Sequence, residues 1–278
     1  MSSARVVRRS VFAVCFSLIA STVLAQAQTQ TKEFQPTVGQ AGKDVVWVPT
    51  PQATVDKMLD LAKVGPSDFV MDLGSGDGRT VITAAKRGAR AMGIEYNPDM
   101  VTLSQANAKK EGVSDRASFV KADLYETDFS KATVITMFLL PEINLKLRPK
   151  ILEMRPGTRV ASNTFTMEDW QPDEQVTVTD GCTSWCTALF WIVPAKAGGT
   201  WKSAQGELTL TQTFQMVTGA LKSSTGSAQI TNGKLRGEQI TFTAGGAEYS
   251  GKVNGSTIQG TVKSGGSSTA WNATKAGG

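Results

Sequence analysis

Short apolar runs alternate with amphipathic stretches through the middle of the chain. The runs predict strands at 69–73, 89–95, 117–122, 133–139 and 158–163. The stretches between them have helical periodicity and predict helices at 79–87, 98–111 and 141–154. This order is typical of a doubly wound α/β fold, a mostly parallel sheet with helices on both faces. Two further runs, at 175–180 and 188–193, have no helix between them. We therefore expect them to form a terminal hairpin, which brings the sheet to seven strands and makes the last strand antiparallel.

The segment before the first strand has two parts. Residues 28–44 are polar without a clear period, which predicts an extended lead-in. Residues 45–51 are apolar and interrupted by prolines, so they are expected to be extended as well. A helical pattern follows, and the sequence favours Thr50 as its N-cap with Pro51 in its first position.

The pattern changes after a linker at 195–199, which ends a first domain predicted to span 45–194. Residues 200–278 consist of short alternating runs separated by Asn-Gly and Gly-Gly pairs, typical of tight turns between antiparallel strands. We therefore expect an all-β second domain, a meander of seven or eight strands that forms a small barrel or a sandwich-like roll. Trp201 and Trp271, near its two ends, are expected in its core.

The first 27 residues have the features of a secretory signal peptide. Three arginines precede an apolar run at 11–24, and the small-x-small triplet Ala25-Gln26-Ala27 follows. We expect cleavage after Ala27 and a periplasmic or secreted mature protein. A retained amphipathic helix is the alternative.

Histidine is absent from the chain, which excludes a histidine general base, a Ser–His or Cys–His nucleophile and any histidine metal site. With only two cysteines in the mature chain, no metal is expected. Cys15 lies in the signal peptide, and Cys182 and Cys186 are predicted to form a disulfide across a turn at 183–185, with two free thiols as the alternative. Without the signal peptide the chain has 26 Lys and Arg against 24 Asp and Glu, so no nucleic-acid partner is expected.

A glycine-rich turn follows the first strand, and it contains the chemistry of the chain. Gly74, Gly76 and Gly78 have the spacing G-x-G-x-G, whereas a dinucleotide-binding turn has G-x-G-x-x-G. Acidic residues stand before and inside the turn, and Glu95 ends the next strand at the distance where such folds hold a ribose. Carboxylates suit a cationic ligand without phosphates, so the turn predicts binding of S-adenosylmethionine.

Several motifs resemble those of class I, seven-strand S-adenosylmethionine-dependent methyltransferases. They are Asp72-Leu-Gly-Ser-Gly-Asp-Gly78, Gly93-Ile-Glu-Tyr-Asn-Pro98 and Lys121-Ala-Asp-Leu124. Further segments are similar to the non-SET histone-lysine methyltransferases and the mitochondrial ATP-synthase c-subunit lysine methyltransferases: Trp47-Val-Pro-Thr-Pro51, Phe138-Leu-Leu-Pro-Glu-Ile-Asn144, Leu147-Arg148 and Gly157-Thr-Arg-Val-Ala-Ser162. The resemblance covers about residues 45–165 and does not extend to the β domain.

The resemblance implies roles for individual residues. Glu95 would bind the ribose hydroxyls, Asp123 the adenine amino group, and Asp72 would lie near the methionine end. The cofactor-binding set it implies is Asp72, Gly74, Ser75, Gly76, Asp77, Glu95, Asn97, Asp123 and Leu124. At the methyl-transfer end it implies Thr50 and Phe138, and Glu142 is a candidate base by its nearness to the motif. Glu95 and Asp123 would otherwise be helix N-caps, and Phe138 would be core.

Three functions remain open at this point. The leading one is an exported methyltransferase, with the lysine of a protein as one acceptor class. The second is an envelope binding protein whose methyltransferase-like domain does not turn over and whose β domain binds a ligand. The third, a nicotinamide oxidoreductase, is disfavoured by the glycine spacing.

Overall fold

The computed structural model describes residues 1–2 and 34–277. The predicted cleavage site at Ala27, and all but two residues of the predicted signal peptide, lie outside the described residues. The four described helices are α1 Gln52–Leu61, α2 Arg79–Lys86, α3 Pro98–Lys110 and α4 Pro141–Leu152. None of these four is long and apolar enough to cross a membrane.

The first sheet has seven strands in the order β3-β2-β1-β4-β5-β7-β6. All neighbours are parallel except β7, which is antiparallel to both β5 and β6. The predicted doubly wound sheet with an antiparallel last strand is thereby confirmed. The strands are β1 Phe69–Leu73, β2 Arg90–Glu95, β3 Ala117–Lys121, β4 Val134–Met137, β5 Arg159–Asn163, β6 Glu174–Thr177 and β7 Thr187–Ile192.

Apolar side chains cover both faces of this sheet. Val70 packs with residues of α1, α2 and α3 on one face, while Met71, the next residue, packs with α4 on the other. The strand order runs in opposite directions on the two sides of β1, so a crevice forms where the carboxyl ends of β1 and β4 diverge. This crevice holds the pocket described below.

The start of α1 differs from the sequence prediction. Pro51, in an extended conformation, is the N-cap, and the helix begins at Gln52 without a side-chain cap. Thr50 is buried, and its backbone carbonyl accepts a hydrogen bond of 2.9 Å from the Arg79 guanidinium. The prediction that Thr50 caps the helix is therefore wrong, because tertiary contacts hold this residue one position outside it.

The second sheet is antiparallel and closes on itself. Its order is β11-β10-β12-β13-β14-β15-β16-β8-β9, and β9 also pairs with β10, which closes a barrel. The short strands β11 and β12 both pair with β10 and together act as one interrupted strand, so the barrel is eight-stranded. The strands are β8 Gly199–Ser203, β9 Gly206–Thr213, β10 Met216–Ser223, β11 Gly226–Gln229, β12 Thr231–Arg236, β13 Gln239–Ala244, β14 Ala247–Asn254, β15 Thr257–Ser264 and β16 Ser267–Lys275.

Apolar side chains form one buried cluster in the barrel, and it includes both predicted tryptophans. Trp271 packs edge-on against the stacked rings of Phe242 and Tyr249, at 5.6 and 5.3 Å between centroids. Trp201 is fully buried and donates its indole N–H to the carbonyl of Ala197 at 2.8 Å. Both residues are core, as predicted.

The barrel contacts the α/β domain through a small set of side chains. The ring of Phe214, between β9 and β10, stacks on buried Trp170 with centroids 5.9 Å apart. Lys234 on β12 lies 3.1 Å from the buried carboxylate of Asp173. Because burial makes an unpaired carboxylate costly, this pair ties the two domains together.

Candidate active site

The glycine turn leaves β1 in the conformation that its three glycines allow. Gly74, Gly76 and Gly78 have φ angles of +79°, +53° and +83°, which side chains disfavour. The amides of Gly74 and Ser75 both donate to the carbonyl of Ile94, at 2.9 and 3.0 Å, and attach the turn to β2. The turn then leads directly into the N-terminus of α2.

The turn is also crowded, so glycine is required for space as well as for backbone angle. A Cβ on Gly76 would stand 2.7 Å from the indole nitrogen of Trp47, and one on Gly78 would stand 2.8 Å from the ring of Phe119. Trp47 belongs to the extended segment 45–51, which therefore crosses directly over the turn.

Glu95 lies at the carboxyl end of β2, and one of its oxygens reaches the glycine turn. One oxygen accepts from the amide of Gly76 and the other from the amide of Asn97, both at 2.9 Å. A carboxylate has about four acceptor sites, so two stay available for hydroxyl donors. Asn97 is the N-cap of α3, where its side chain accepts from the amide of Asp99 at 2.9 Å. Glu95 therefore does not cap the helix.

Asp72 is buried near the carboxyl end of β1, and no residue in the described part of the chain forms an ion pair with it. Burial raises its pKa to about 7, and the nearby carboxylates of Glu95 and Asp77 act in the same direction. A hydrogen bond of 2.6 Å from the hydroxyl of Thr136 on β4 favours the charged form but does not offset burial. The site thus contains a carboxyl group that a cationic ligand would stabilise in its ionised form.

Asp77 forms an ion pair with Arg79, two residues further along the chain. Arg79 donates to its carboxylate through Nε at 3.0 Å and Nη2 at 2.6 Å. The same guanidinium reaches the carbonyl of Thr50. Asp77 lines the pocket, but its oxygens mainly orient Arg79, which links the turn to the segment before α1.

Asp123 follows β3 and lines the same pocket. Its Oδ2 accepts from Lys43 Nζ at 2.5 Å and its Oδ1 from the amide of Tyr125 at 2.9 Å. The hydrogen bond from Lys43 is the main reason that the pKa of Asp123 lies below its usual value. The turn that follows Asp123 is not helical, so this residue is not a helix N-cap.

One pocket of about 1050 Å³, open to solvent, brings these residues together. All the predicted cofactor-binding residues line it, as do Thr50 and Phe138. Glu142 is exposed in the first turn of α4 and is not among the lining residues. Lys43 and Trp47 also line the pocket, and the sequence predicted a role for neither. No local pattern marks Lys43, because its partner Asp123 lies 80 residues away.

The lining has the donors and acceptors that a nucleoside carrying an amino acid requires. Carboxylates lie at three places along the pocket, suited to an ammonium, a ribose diol and an exocyclic amino group. The hydroxyl of Ser75 is buried in the lining and has no hydrogen-bond partner within the described chain. With the three glycines leaving space for close backbone approach, these residues fit S-adenosylmethionine.

The turn at 183–185 is present, and Cys182 and Cys186 form the predicted disulfide, with Cα atoms 5.8 Å apart. The residue at its tip, Trp185, is exposed and contacts Phe138 from the pocket.

Comparisons with known proteins agree with this chemistry. Residues 72–174 match the model of the ANTKMT methyltransferase domain. A protein-lysine N-methyltransferase of Saccharolobus islandicus is 49% identical over 140 residues, which cover 49% of this chain and 87% of that protein. The human lysine N-methyltransferase of the ATP synthase c-subunit is 35% identical over 128 residues, covering 46% of this chain and 54% of that protein.

A solved methyltransferase structure is also similar to this chain. The crystal structure of an RNA methyltransferase from Salinibacter ruber in complex with S-adenosyl-L-homocysteine is 47% identical, with a TM-score of 0.51. It covers 54% of this chain and 95% of that one.

Proposed function

Because this chain belongs to the family of S-adenosylmethionine-dependent protein-lysine methyltransferases, we propose that it methylates the side-chain amine of lysine in a protein. It is an enzyme, and S-adenosylmethionine is its cofactor. The observation that carries the choice of acceptor is the apolar part of the pocket lining, where Phe138 and Leu139 follow β4.

The residues of the pocket divide the work of binding. Glu95 would accept from the ribose hydroxyls, Asp123 from the adenine amino group, and Asp72 would face the cationic methionine end. Bound S-adenosylmethionine supplies a methyl group that is already activated on its sulfonium sulfur. The protein therefore contributes position and the exclusion of water.

A lysine amine must lose its proton before it can accept a methyl group. An apolar environment lowers the pKa of an amine because burial disfavours its charged form. Phe138 and Leu139 provide that environment in the lining of the pocket. Since Glu142 is exposed outside the pocket, we assign deprotonation to this desolvation and not to a side-chain base.

The test is to incubate the mature chain, residues 28–278, with methyl-labelled S-adenosylmethionine. Envelope protein and total RNA from the producing cells are supplied as separate acceptors. We expect label in protein, recovered as methyl-lysine after hydrolysis and mass spectrometry. Label confined to RNA, or to no macromolecule, would overturn the proposal; the latter result would favour a protein that binds without turnover.

We further propose that the protein acts outside the cytoplasm. The sequence of residues 1–27 supports export, and the Cys182–Cys186 disulfide is of a kind that persists in oxidising compartments. Fusing residues 1–44 to a phosphatase that folds only after export should give activity, whereas fusing residues 28–44 should not. Equal inactivity of both fusions would contradict export.

A further inference from the structure

Three aromatic rings meet beside the pocket, and none of them belongs to the buried core. The centroids of Phe138 and Phe165 are 5.8 Å apart, and Trp185 lies 5.7 Å from the first and 5.3 Å from the second. Trp185 is 41% exposed, and the two phenylalanines are half-buried. We call these three side chains the aromatic rim.

The rim is continuous with the pocket. Phe138 contributes to both, since it also lines the cleft. On the other side, Asn163 precedes Phe165 by two residues and its side-chain amide lies 3.5 Å from the hydroxyl of Thr50, which lines the pocket too. A side chain that reaches the pocket across this edge therefore passes the three rings.

The backbone of Phe165 is held in place by polar side chains. Its carbonyl accepts from the hydroxyl of Ser162 at 2.8 Å and from the amide of buried Asn144 at 3.3 Å. Asn144 also donates to the carbonyl of Thr166 at 3.0 Å. These contacts give a structural role to the asparagine of the Phe138–Asn144 motif: it positions one ring of the rim.

Trp185 is held by the disulfide-bonded loop. Its φ of +60° is unusual for a bulky side chain, so the surrounding loop must maintain it. The Cys182–Cys186 bond closes that loop, and the hydroxyl of Thr54 on α1 donates to the carbonyl of Trp185 at 3.2 Å. An exposed aromatic in a maintained, strained conformation indicates a binding role more than packing.

We propose that the aromatic rim receives the acceptor lysine and that Trp185 is a specificity-determining residue. Aromatic faces pack against the methylene stem of lysine and attract its ammonium and methylammonium forms. The proposal rests on the proposed function, because it assigns the rim to the acceptor of that reaction. The disulfide acts through Trp185 by keeping its ring over the entrance, which lowers the cost of ordering it on binding.

The experiment uses N-acetyl-Nε-trimethyl-lysine methylamide as the probe, titrated into the protein at saturating S-adenosylhomocysteine and followed by calorimetry. We expect Trp185→Ala to weaken probe binding at least fivefold and Trp185→Phe to stay within twofold of wild type. The double variant Cys182→Ser, Cys186→Ser should behave like Trp185→Ala. Affinity for S-adenosylhomocysteine should not change in any of them.

Met216→Ala is the matched control, because it removes an exposed apolar side chain from the barrel. Wild type that binds no probe, or Trp185→Ala that binds it like wild type, overturns the rim. So does a Trp185→Ala variant that loses cofactor affinity to the same extent, since that result shows a structural role. The proposed function is judged separately, by methyl transfer to protein lysine in the labelling assay.

Discussion

Asp68, immediately before the first strand, and Asp72, within it, are both buried, yet their pKa values lie on opposite sides of the ordinary value. Although burial opposes ionisation of Asp68, hydrogen bonds from the amide of Gly65, from Thr133 and from Arg159 lower its pKa. Asp72 is also buried, but no cationic group of the described chain offsets its burial, and its pKa rises to about 7. The carboxylate of Asp68 is stabilised in its ionised form by the fold, whereas the ionised form of Asp72 is not.

This contrast predicts opposite effects of two matched variants on stability. Between pH 3.8, the ordinary value, and about 7, folded Asp72 holds a proton that the unfolded chain has lost. The free energy of unfolding therefore falls as pH rises through this window, by roughly 1.4 kcal/mol for each unit of pKa difference at most. Asp72→Asn should stabilise the free protein at pH 8, and less so at pH 5, in urea unfolding.

Asp68→Asn is the control with the opposite sign. Its depressed pKa contributes stability above the ordinary pKa, and that contribution is lost as pH falls through the folded value. The variant should therefore be less stable than wild type at both pH 5 and pH 8. Parallel behaviour of the two variants would contradict this assignment.

Glu95→Gln tests the ribose contact. The change keeps the shape of the side chain but removes its charge and one of its two acceptor oxygens. In the wild-type protein these oxygens accept from the amides of Gly76 and Asn97. Hydrogen bonds to charged groups contribute about 1.5–3 kcal/mol. We therefore expect calorimetry to show at least tenfold weaker binding of S-adenosylhomocysteine.

The control for that variant is Glu111→Gln, which neutralises an exposed glutamate paired with Lys86 at the end of α3. It should bind S-adenosylhomocysteine like wild type. If the two variants bound equally, Glu95 would have no special role.

Gly76→Ala tests the close approach of Trp47, in the segment 45–51, to the glycine turn. The new Cβ would meet the indole of Trp47 at 2.7 Å, and the backbone would keep an unfavourable φ. We expect displacement of Trp47 and at least tenfold lower affinity for S-adenosylhomocysteine, measured by calorimetry.

Gly112→Ala separates the two causes. Gly112 has a φ of +69° but no atom within 4 Å of the added Cβ. It should lose about 1 kcal/mol of stability from backbone strain and none of its cofactor affinity. Equal loss of affinity in both variants would show that steric contact with Trp47 does not matter.

Lys43→Met tests the ion pair over the adenine end. The ammonium of Lys43 donates to the carboxylate of Asp123, the group expected to accept from adenine, so we expect Lys43 to compete with the cofactor. Solvent screens this partly exposed ion pair, so its contribution to stability is small. We therefore expect a two- to fivefold gain in affinity for S-adenosylhomocysteine, measured by calorimetry.

Lys146→Met is the comparison variant, since Lys146 lies 5.6 Å from the ring of Tyr125, much as Lys43 does, but is not paired with Asp123. Its affinity should be unchanged. Weaker binding by Lys43→Met alone would mean that Lys43 supports the cofactor and does not compete with it.

Local pattern in the sequence determined much of this protein. Alternating periodicities predicted both sheets, because one face of each strand or helix must be apolar to be buried. The glycine spacing with Asp72 and Glu95 predicted the cofactor, because these residues stand near one turn and its neighbouring strand. The short separation of Cys182 and Cys186 likewise predicted their bond.

Only the tertiary structure decided which distant residues meet. It brought Lys43 to Asp123, Trp47 to Gly76 and Trp185 to Phe138, and it left Glu142 outside the pocket. It also removed Thr50 from the cap position that its sequence favoured. Such contacts depend on how helices and loops pack across the sheet edge, and local hydrophobic periodicity contains no information about that packing.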